Sequence, residues 1–170
     1  MYFDASNKPM TATLQAIPDG KAGTVATLKI MKQVANAGKT SLSIRNLAVS
    51  LTNHIAQKDY FNEVKAIHKF VRDQIRYVKD IRGVETVQTP DVTLSLRSGD
   101  CDDKSVLFAS LLEAIGHPTG FIAIGFKPDD FVHVYPITRI GTRWVPAEVT
   151  EPVELGWSPN GVVSRLVVYN

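Results

Sequence analysis

Apolar residues follow helical spacing through roughly the first two thirds of the chain and then switch to alternation. From about Ala22 to Ala37, Val25, Leu28, Ile30, Met31 and Val34 predict a helix that stops at Gly38. Thr40 or Ser41 can cap a second helix carrying Leu42, Ile44, Leu47, Leu51 and Ile55. A third runs from about Tyr60 to Tyr77, with Val64, Ile67, Phe70, Val71 and Ile75 on one face and Lys65, Lys69, Arg72 and Asp73 on the other. A fourth begins at Cys101, carries Val106, Leu107, Phe108, Leu111, Leu112 and Ile115, and is ended by Gly116-His117-Pro118. The period then changes to two. Strands are expected over Thr119–Phe126, Phe131–Thr138, Arg143–Val149 and Gly161–Tyr169, with a turn at Lys127-Pro128-Asp129-Asp130. Residues 1–10 look irregular, Thr11–Ile17 alternates as a short strand would, and Lys79 to Asp91 reads as a loop. Helices first and an antiparallel meander after is an α+β arrangement: a helical lobe packed on an antiparallel sheet.

The meander can be put in register by counting. With Ile140-Gly141 as a two-residue loop, His133 lies directly opposite Glu148, where side chains on one face are roughly 4.5–5.5 Å apart. The four-residue turn before it sets His133 opposite Ile124. The face with His133 then holds Ile122, Ile124, Phe126, Phe131, Tyr135, Trp144 and Glu148; the other holds Ala123, Gly125, Val132, Val134, Val145 and Ala147. Both faces are largely apolar, so a charged Glu148 there needs His133 as its partner.

Composition narrows the class. The 170 residues are 44% hydrophobic and 21% charged, as in an ordinary globular chain, and are expected to form one domain, with residues 1–58 an N-terminal part without a readable motif and 59–170 the core. A net charge of +2 gives no nucleic-acid surface. No apolar run is long enough for a membrane span, and Met1-Tyr2-Phe3-Asp4 does not open a signal peptide. A cytoplasmic protein is expected, or a virion-associated one if phage-encoded. The single cysteine excludes a disulfide framework, and no metal or cofactor is expected.

That cysteine stands in Arg97-Ser98-Gly99-Asp100-Cys101-Asp102-Asp103-Lys104-Ser105, at the first turn of a helix. A helix N-terminus and a histidine can lower a thiol pKa from about 8.5 to roughly 3.5–7.5. Asp102 and Asp103 work against this unless they point outward. Cys101 is therefore the candidate nucleophile, His133 the base and Glu148 the orienter, with the Cys101 backbone N–H a natural oxyanion donor. Asp100 reads first as the helix cap and second as a substrate contact. Tyr135 and Trp144 are candidates to wall a substrate groove, and Trp157 to rim it. His54 and His68 are expected on helix surfaces, and His117 shows no partner.

The segments Gly99-Asp100-Cys101-Asp102-Asp103-Lys104-Ser105, Leu107–Gly116, Phe131-Val132-His133-Val134-Tyr135 and Trp144-Val145-Pro146-Ala147-Glu148-Val149-Thr150 resemble the core of the transglutaminase-like superfamily, papain-related proteins of bacteria, phages and eukaryotes. The likeness covers about residues 60–155. It implies a papain/transglutaminase-like core with the nucleophile at Cys101, the histidine at His133 and the acid at Glu148, where the family usually has aspartate. It also implies a second oxyanion donor upstream of the cysteine, for which Gln88 is the nearest candidate by position. The expected activity is acyl transfer from an amide of a protein or peptide, as a peptidase or amidase. The alternatives are a protein-glutamine transglutaminase, and a non-catalytic assembly domain of a bacterial or phage complex.

Overall fold

The computed structural model describes residues 18–79 and 86–170; the expected strand at Thr11–Ile17 and the middle of the 79–91 loop lie outside them. Among the described residues, five helices and six strands follow in order: α1 (Gly20–Gly38), α2 (Leu42–Thr52), α3 (Tyr60–Gln74), β1 (Arg76–Tyr77), α4 (Pro90–Leu96), β2 (Ser98–Gly99), α5 (Cys101–Ala114), β3 (Thr119–Gly125), β4 (His133–Ile140), β5 (Arg143–Pro146) and β6 (Ser164–Tyr169). The arrangement is the α+β fold expected, helices packed on an antiparallel sheet of order β5-β4-β3-β6.

Helix α5 is the hub. Val106, Leu107, Phe108, Ala109, Leu111 and Leu112 are all fully buried along it. On one side it packs with α2, α3, Ala147 and Val149; on the other, Val106 and Ala109 meet α1 and the inner sheet residues Phe121, Ala123 and Val134. The outer sheet face carries Ile122, Ile124, Tyr135 and Ile137, with Val162 of the preceding loop laid over them. Gly38 ends α1 at its contact with α4: a Cβ there would run into the Pro90 ring and within 2.9 Å of Ser110 Oγ.

Several expectations change. Helix α3 stops at Gln74, not Tyr77, because Arg76 and Tyr77 turn extended and pair in parallel with Ser98 and Gly99. That pairing lays the end of α3 beside the approach to Cys101. Helix α4 is an element the sequence pattern does not predict, and only its first two residues overlap the loop expected over Lys79 to Asp91. Its start was legible, with Thr89 at the N-cap, Pro90 at the first helical position and Asp91 in the first turn. Arg97, in the left-handed region at φ 54, then reverses the chain into β2.

The β3–β4 register is the one counted, with Ile124 opposite His133. Strand β4 starts only there. Phe131 turns to the helix side of the sheet and Val132 is exposed, the reverse of the alternation expected for both. The β4–β5 register differs by two residues. Ile140 pairs with Arg143, so the turn is Gly141-Thr142, and Gly141 at φ +60 supplies the positive φ that a type II′ hairpin needs first. A two-residue shift preserves which face each side chain takes. Glu148 stays on the His133 side, but not directly across the ladder, because β5 ends at Pro146.

Candidate active site

Cys101 is placed by a ring of aspartates. Asp100 Oδ1 accepts from the N–H groups of Asp102 (3.0 Å) and Asp103 (3.1 Å), and Asp103 Oδ2 accepts in return from Asp100 N (3.2 Å). This is a reciprocal capping box. Gln88 N donates to the other Asp103 oxygen at 2.7 Å, tying the segment upstream to the same cap. Gly99 allows it: a Cβ there would stand 2.5 Å from Asp103 Cβ. The Cys101 N–H makes no hydrogen bond among the described residues, as an oxyanion donor at a first helical position should not.

The thiol itself does not match the expectation of a lowered pKa. Asp102 and Asp103 do not point outward; they are 8% and 0% exposed. The half-buried Cys101 Sγ lies 3.6 Å from Asp102 Oδ1. Burial pushes the thiol well above its ordinary range, and the charges of Asp102 and Asp100 push the same way; a backbone hydrogen bond from Val134 works against them. The helix terminus that would favour a thiolate is already neutralised by the Asp100 carboxylate. The resting group is a thiol.

His133 opens β4, next to the Val134 backbone that meets the thiol. No hydrogen bond joins it to Cys101 among the described contacts, a looseness common in sites without substrate. Its Nε2 donates to Glu148 Oε2 at 2.7 Å, and Glu148 is fully buried. The other carboxylate oxygen accepts from the N–H groups of Thr150 (2.7 Å) and Glu151 (3.4 Å). Burial alone would raise the Glu148 carboxyl; the His133 hydrogen bond and charge, with the two backbone donors, outweigh it and hold the group below its ordinary value. A carboxylate on Nε2 makes that nitrogen the protonated one, so Nδ1 carries the lone pair available as a base.

The other expected residues are scattered. Asp100 is the cap described above. Tyr135 is 1% exposed and tilts against the His133 ring at 6.1 Å between centroids, so it supports the imidazole and offers little surface to a substrate. Burial raises its phenol pKa, keeping it neutral. Trp144 lies at the turn end of the hairpin, opposite Arg139 and against Tyr169 at 4.6 Å between ring centroids. Six residues of strand, about 20 Å, separate Arg139 from His133, so Trp144 does not wall this site. Trp157 is exposed on the loop after Glu148, in a turn closed by its N–H on Glu154 O. The Gln88 side chain accepts from Thr93 Oγ1 at 3.4 Å. For a cation, Asp100, Cys101 and Asp102 offer ligand atoms within 4.8 Å of one another, but the cap already uses Asp100 Oδ1.

Two histidines depart from expectation, His68 in its burial and His117 in having a partner. His68 is buried at 1% exposed, and its Nε2 meets Glu148 O at 2.6 Å. The signal was available: position 68 continues the apolar face of Val64, Val71 and Ile75. His117 has a partner, Glu63 Oε2 at 2.7 Å, and an edge contact with Tyr60. Lys104, three residues after Cys101, is also buried; its Nζ donates to Ile75 O (2.8 Å) and Arg72 O (3.3 Å), carbonyls at the end of α3.

The sequence profile of the transglutaminase-like superfamily matches residues 45–149, which include all three residues of this constellation. Among solved structures, the chain is similar to a candidate cysteine protease from Cytophaga hutchinsonii, at 20% identity and TM-score 0.52, over 75% of this chain and 46% of that one. It is also similar to a candidate protease from Parabacteroides distasonis, at 16% identity and TM-score 0.61, over 96% of this chain and 35% of that one. The chain thus spans less than half the length of either, and at these identities the likeness is one of fold. No curated protein matches it. No helix among the described residues is long and apolar enough to cross a membrane.

Proposed function

The chain belongs to the transglutaminase-like superfamily, and on that premise we propose that it is a cysteine-dependent acyl-transfer enzyme that cleaves amide or peptide bonds through Cys101, His133 and Glu148. The observation that carries the reading is the 2.7 Å bond from His133 Nε2 to the buried Glu148 carboxylate. It fixes the tautomer, leaves Nδ1 as the base and stabilises the imidazolium that forms.

The chemistry starts from the protonated Cys101 thiol. As substrate enters, Cys101 Sγ attacks the acyl carbon while His133 Nδ1 takes the thiol proton. The developing oxyanion meets the Cys101 N–H. The imidazolium then protonates the leaving amine, the C–N bond breaks and a thioester remains. Water, deprotonated by His133, resolves it to an acid and restores the thiol. An amine in place of water would make the reaction a transamidation.

The test uses p-nitrophenyl acetate, a peptide mixture, and a glutamine peptide with a primary amine. Cys101-dependent turnover is expected, with an acetyl adduct on Cys101 by intact mass and a loss of about a thousandfold or more in Cys101→Ala. Product release without amine incorporation marks a hydrolase, and incorporation a transglutaminase. The raised thiol pKa favours a second reading, a non-catalytic member of the fold. Acylation no faster than for a free cysteine, and unchanged in His133→Ala, would establish that one.

A further inference from the structure

Glu148 lies beyond the sheet that carries its partner. Strand β5 ends at Pro146, and the last ladder bond runs from Ala147 N to Pro136 O at 2.9 Å. From there the chain is irregular through Thr150. Strand pairing therefore sets the side that Glu148 takes but leaves the direction of its carboxylate open. On the main-chain side of this residue, helix α3 takes over.

We propose that His68 is a positioning residue: by holding the Glu148 carbonyl it aims the Glu148 carboxylate at His133. This rests on the cysteine chemistry proposed above. The contact is 2.6 Å between His68 Nε2 and Glu148 O. A carbonyl can only accept, so Nε2 carries the proton. The ring stands edge-on to Phe108, at 89° and 6.4 Å between centroids, which limits its rotation. Burial lowers the His68 pKa, and Arg72 adds to this; the Glu148 carbonyl bond, Glu154 and Asp73 act in the opposite sense, and the balance favours a neutral imidazole. Without His68, a buried carbonyl loses its donor and the peptide can rotate, carrying the Cα–Cβ direction of Glu148 with it.

Two further side-chain-to-carbonyl bonds tie α3 to its surroundings, one donated by α3 and one accepted at its end. Arg72, one turn after His68, donates from Nη1 to Val153 O at 2.7 Å, pinning the segment downstream of Glu148. Lys104 of α5 donates to the end of α3 at Ile75 O. The helix that starts with Cys101 and the segment that carries Glu148 are thus both registered on the last two turns of α3. His68 is the member of this frame in contact with Glu148.

The test compares His68→Gln and His68→Phe in the full chain. Glutamine can place an amide N–H where Nε2 stands; phenylalanine keeps the ring and lacks the donor. Two readouts are used: single-turnover acetylation of Cys101 by p-nitrophenyl acetate, and the NMR resonance of the His133 Nε2 proton on Glu148. His68→Phe is expected to slow acetylation about threefold to tenfold, the loss of one hydrogen bond, and to shift or broaden the His133 proton. His68→Gln should restore both to near wild type. In a Glu148→Gln background, His68→Phe should add no further loss, since the two act as one unit. Should His68→Phe fail to fold, His68→Asn replaces it, because its shorter amide does not reach the carbonyl. An unshifted His133 proton in the folded donor-free variant overturns the proposal, as does an equal effect of Gln and Phe. If Cys101 of the wild type shows no enhanced acylation, the enzymatic reading fails by itself, and the His133 proton still decides the positioning role.

Discussion

His133 and Glu148 meet at 2.7 Å although β5, which pairs with the strand that carries His133, ends two residues before Glu148, and Glu148 is fully buried. A buried charge so dependent on its partners is sensitive to losing them. Glu148→Ala should cost about 3–5 kcal/mol in urea unfolding, since it strands the imidazole and two N–H donors. The folded-state pKa of Glu148 is depressed, so its contribution is present above the unfolded value and lost as pH falls through the folded one. Acid unfolding followed by circular dichroism should thus be shallower in Glu148→Gln than in wild type. Identical acid profiles would mean that the ion pair contributes nothing.

Asp102 holds the thiol proton in place. Replacing it by Asn keeps the shape and removes a charge 3.6 Å from Cys101 Sγ. Asp102→Asn should speed iodoacetamide alkylation of Cys101 at pH 7 by about tenfold, the equivalent of one unit of thiol pKa. Intact-mass time courses measure it. An unchanged or slower rate in a folded variant would remove Asp102 from this role.

Gly99 is required by contact, since a Cβ would stand 2.5 Å from Asp103 Cβ and displace the capping box. Gly99→Ala should destabilise the protein by about 2 kcal/mol and loosen the first turn of α5. Thermal unfolding checks the first effect, and faster amide exchange at Asp102 and Asp103 the second. Wild-type exchange at those two sites would show that the cap tolerates the change.

Lys104 is a buried cation whose pKa is lowered to about 8, by burial first, with Glu148 and Asp73 opposing. Its folded-state pKa lies below the unfolded value of 10.5, so the unfolded chain binds more protons between about pH 8 and 10.5, and stability gains with rising pH there. The gain from this residue is at most about 3 kcal/mol. Lys104→Met should remove it. The difference in unfolding free energy between wild type and variant, taken at several pH values across that window, isolates this residue from Cys101 and Tyr135. A difference independent of pH would contradict the assignment.

Much of the site was legible along the chain. The Asp100 cap, the apolar run after Cys101 and the Gly116-His117-Pro118 stop define α5 almost to the residue. The turn at 127–130 sets Ile124 against His133. Even the wrong hairpin count kept Glu148 on the His133 side, because the error was an even number of residues. Helix α4 was missed although Thr89-Pro90 announces it, and β1 and β2, two residues each, are too short to leave a pattern.

Other features depended on partners far away in the chain. His68 and Glu148 are 80 residues apart, and His117 and Glu63 are 54 apart; neither pairing leaves a mark in local periodicity. The direction of the Cys101 thiol pKa was left open by the sequence for a related reason. The helix dipole is a property of the helix, but burial and the inward turn of Asp102 are properties of what packs around it.

By itself, the sequence determined the helices and main strands, the face on which His133 and Glu148 lie, and the placing of Cys101 at a helix start. These follow from periodicity, caps and turns, whose physics acts within one or two turns of chain. The tertiary structure decided that the thiol rests protonated, that α3 holds Glu148 through His68, and that Trp144 stands away from the site. Those depend on desolvation and on distances between segments remote in the chain, which only the packed fold sets.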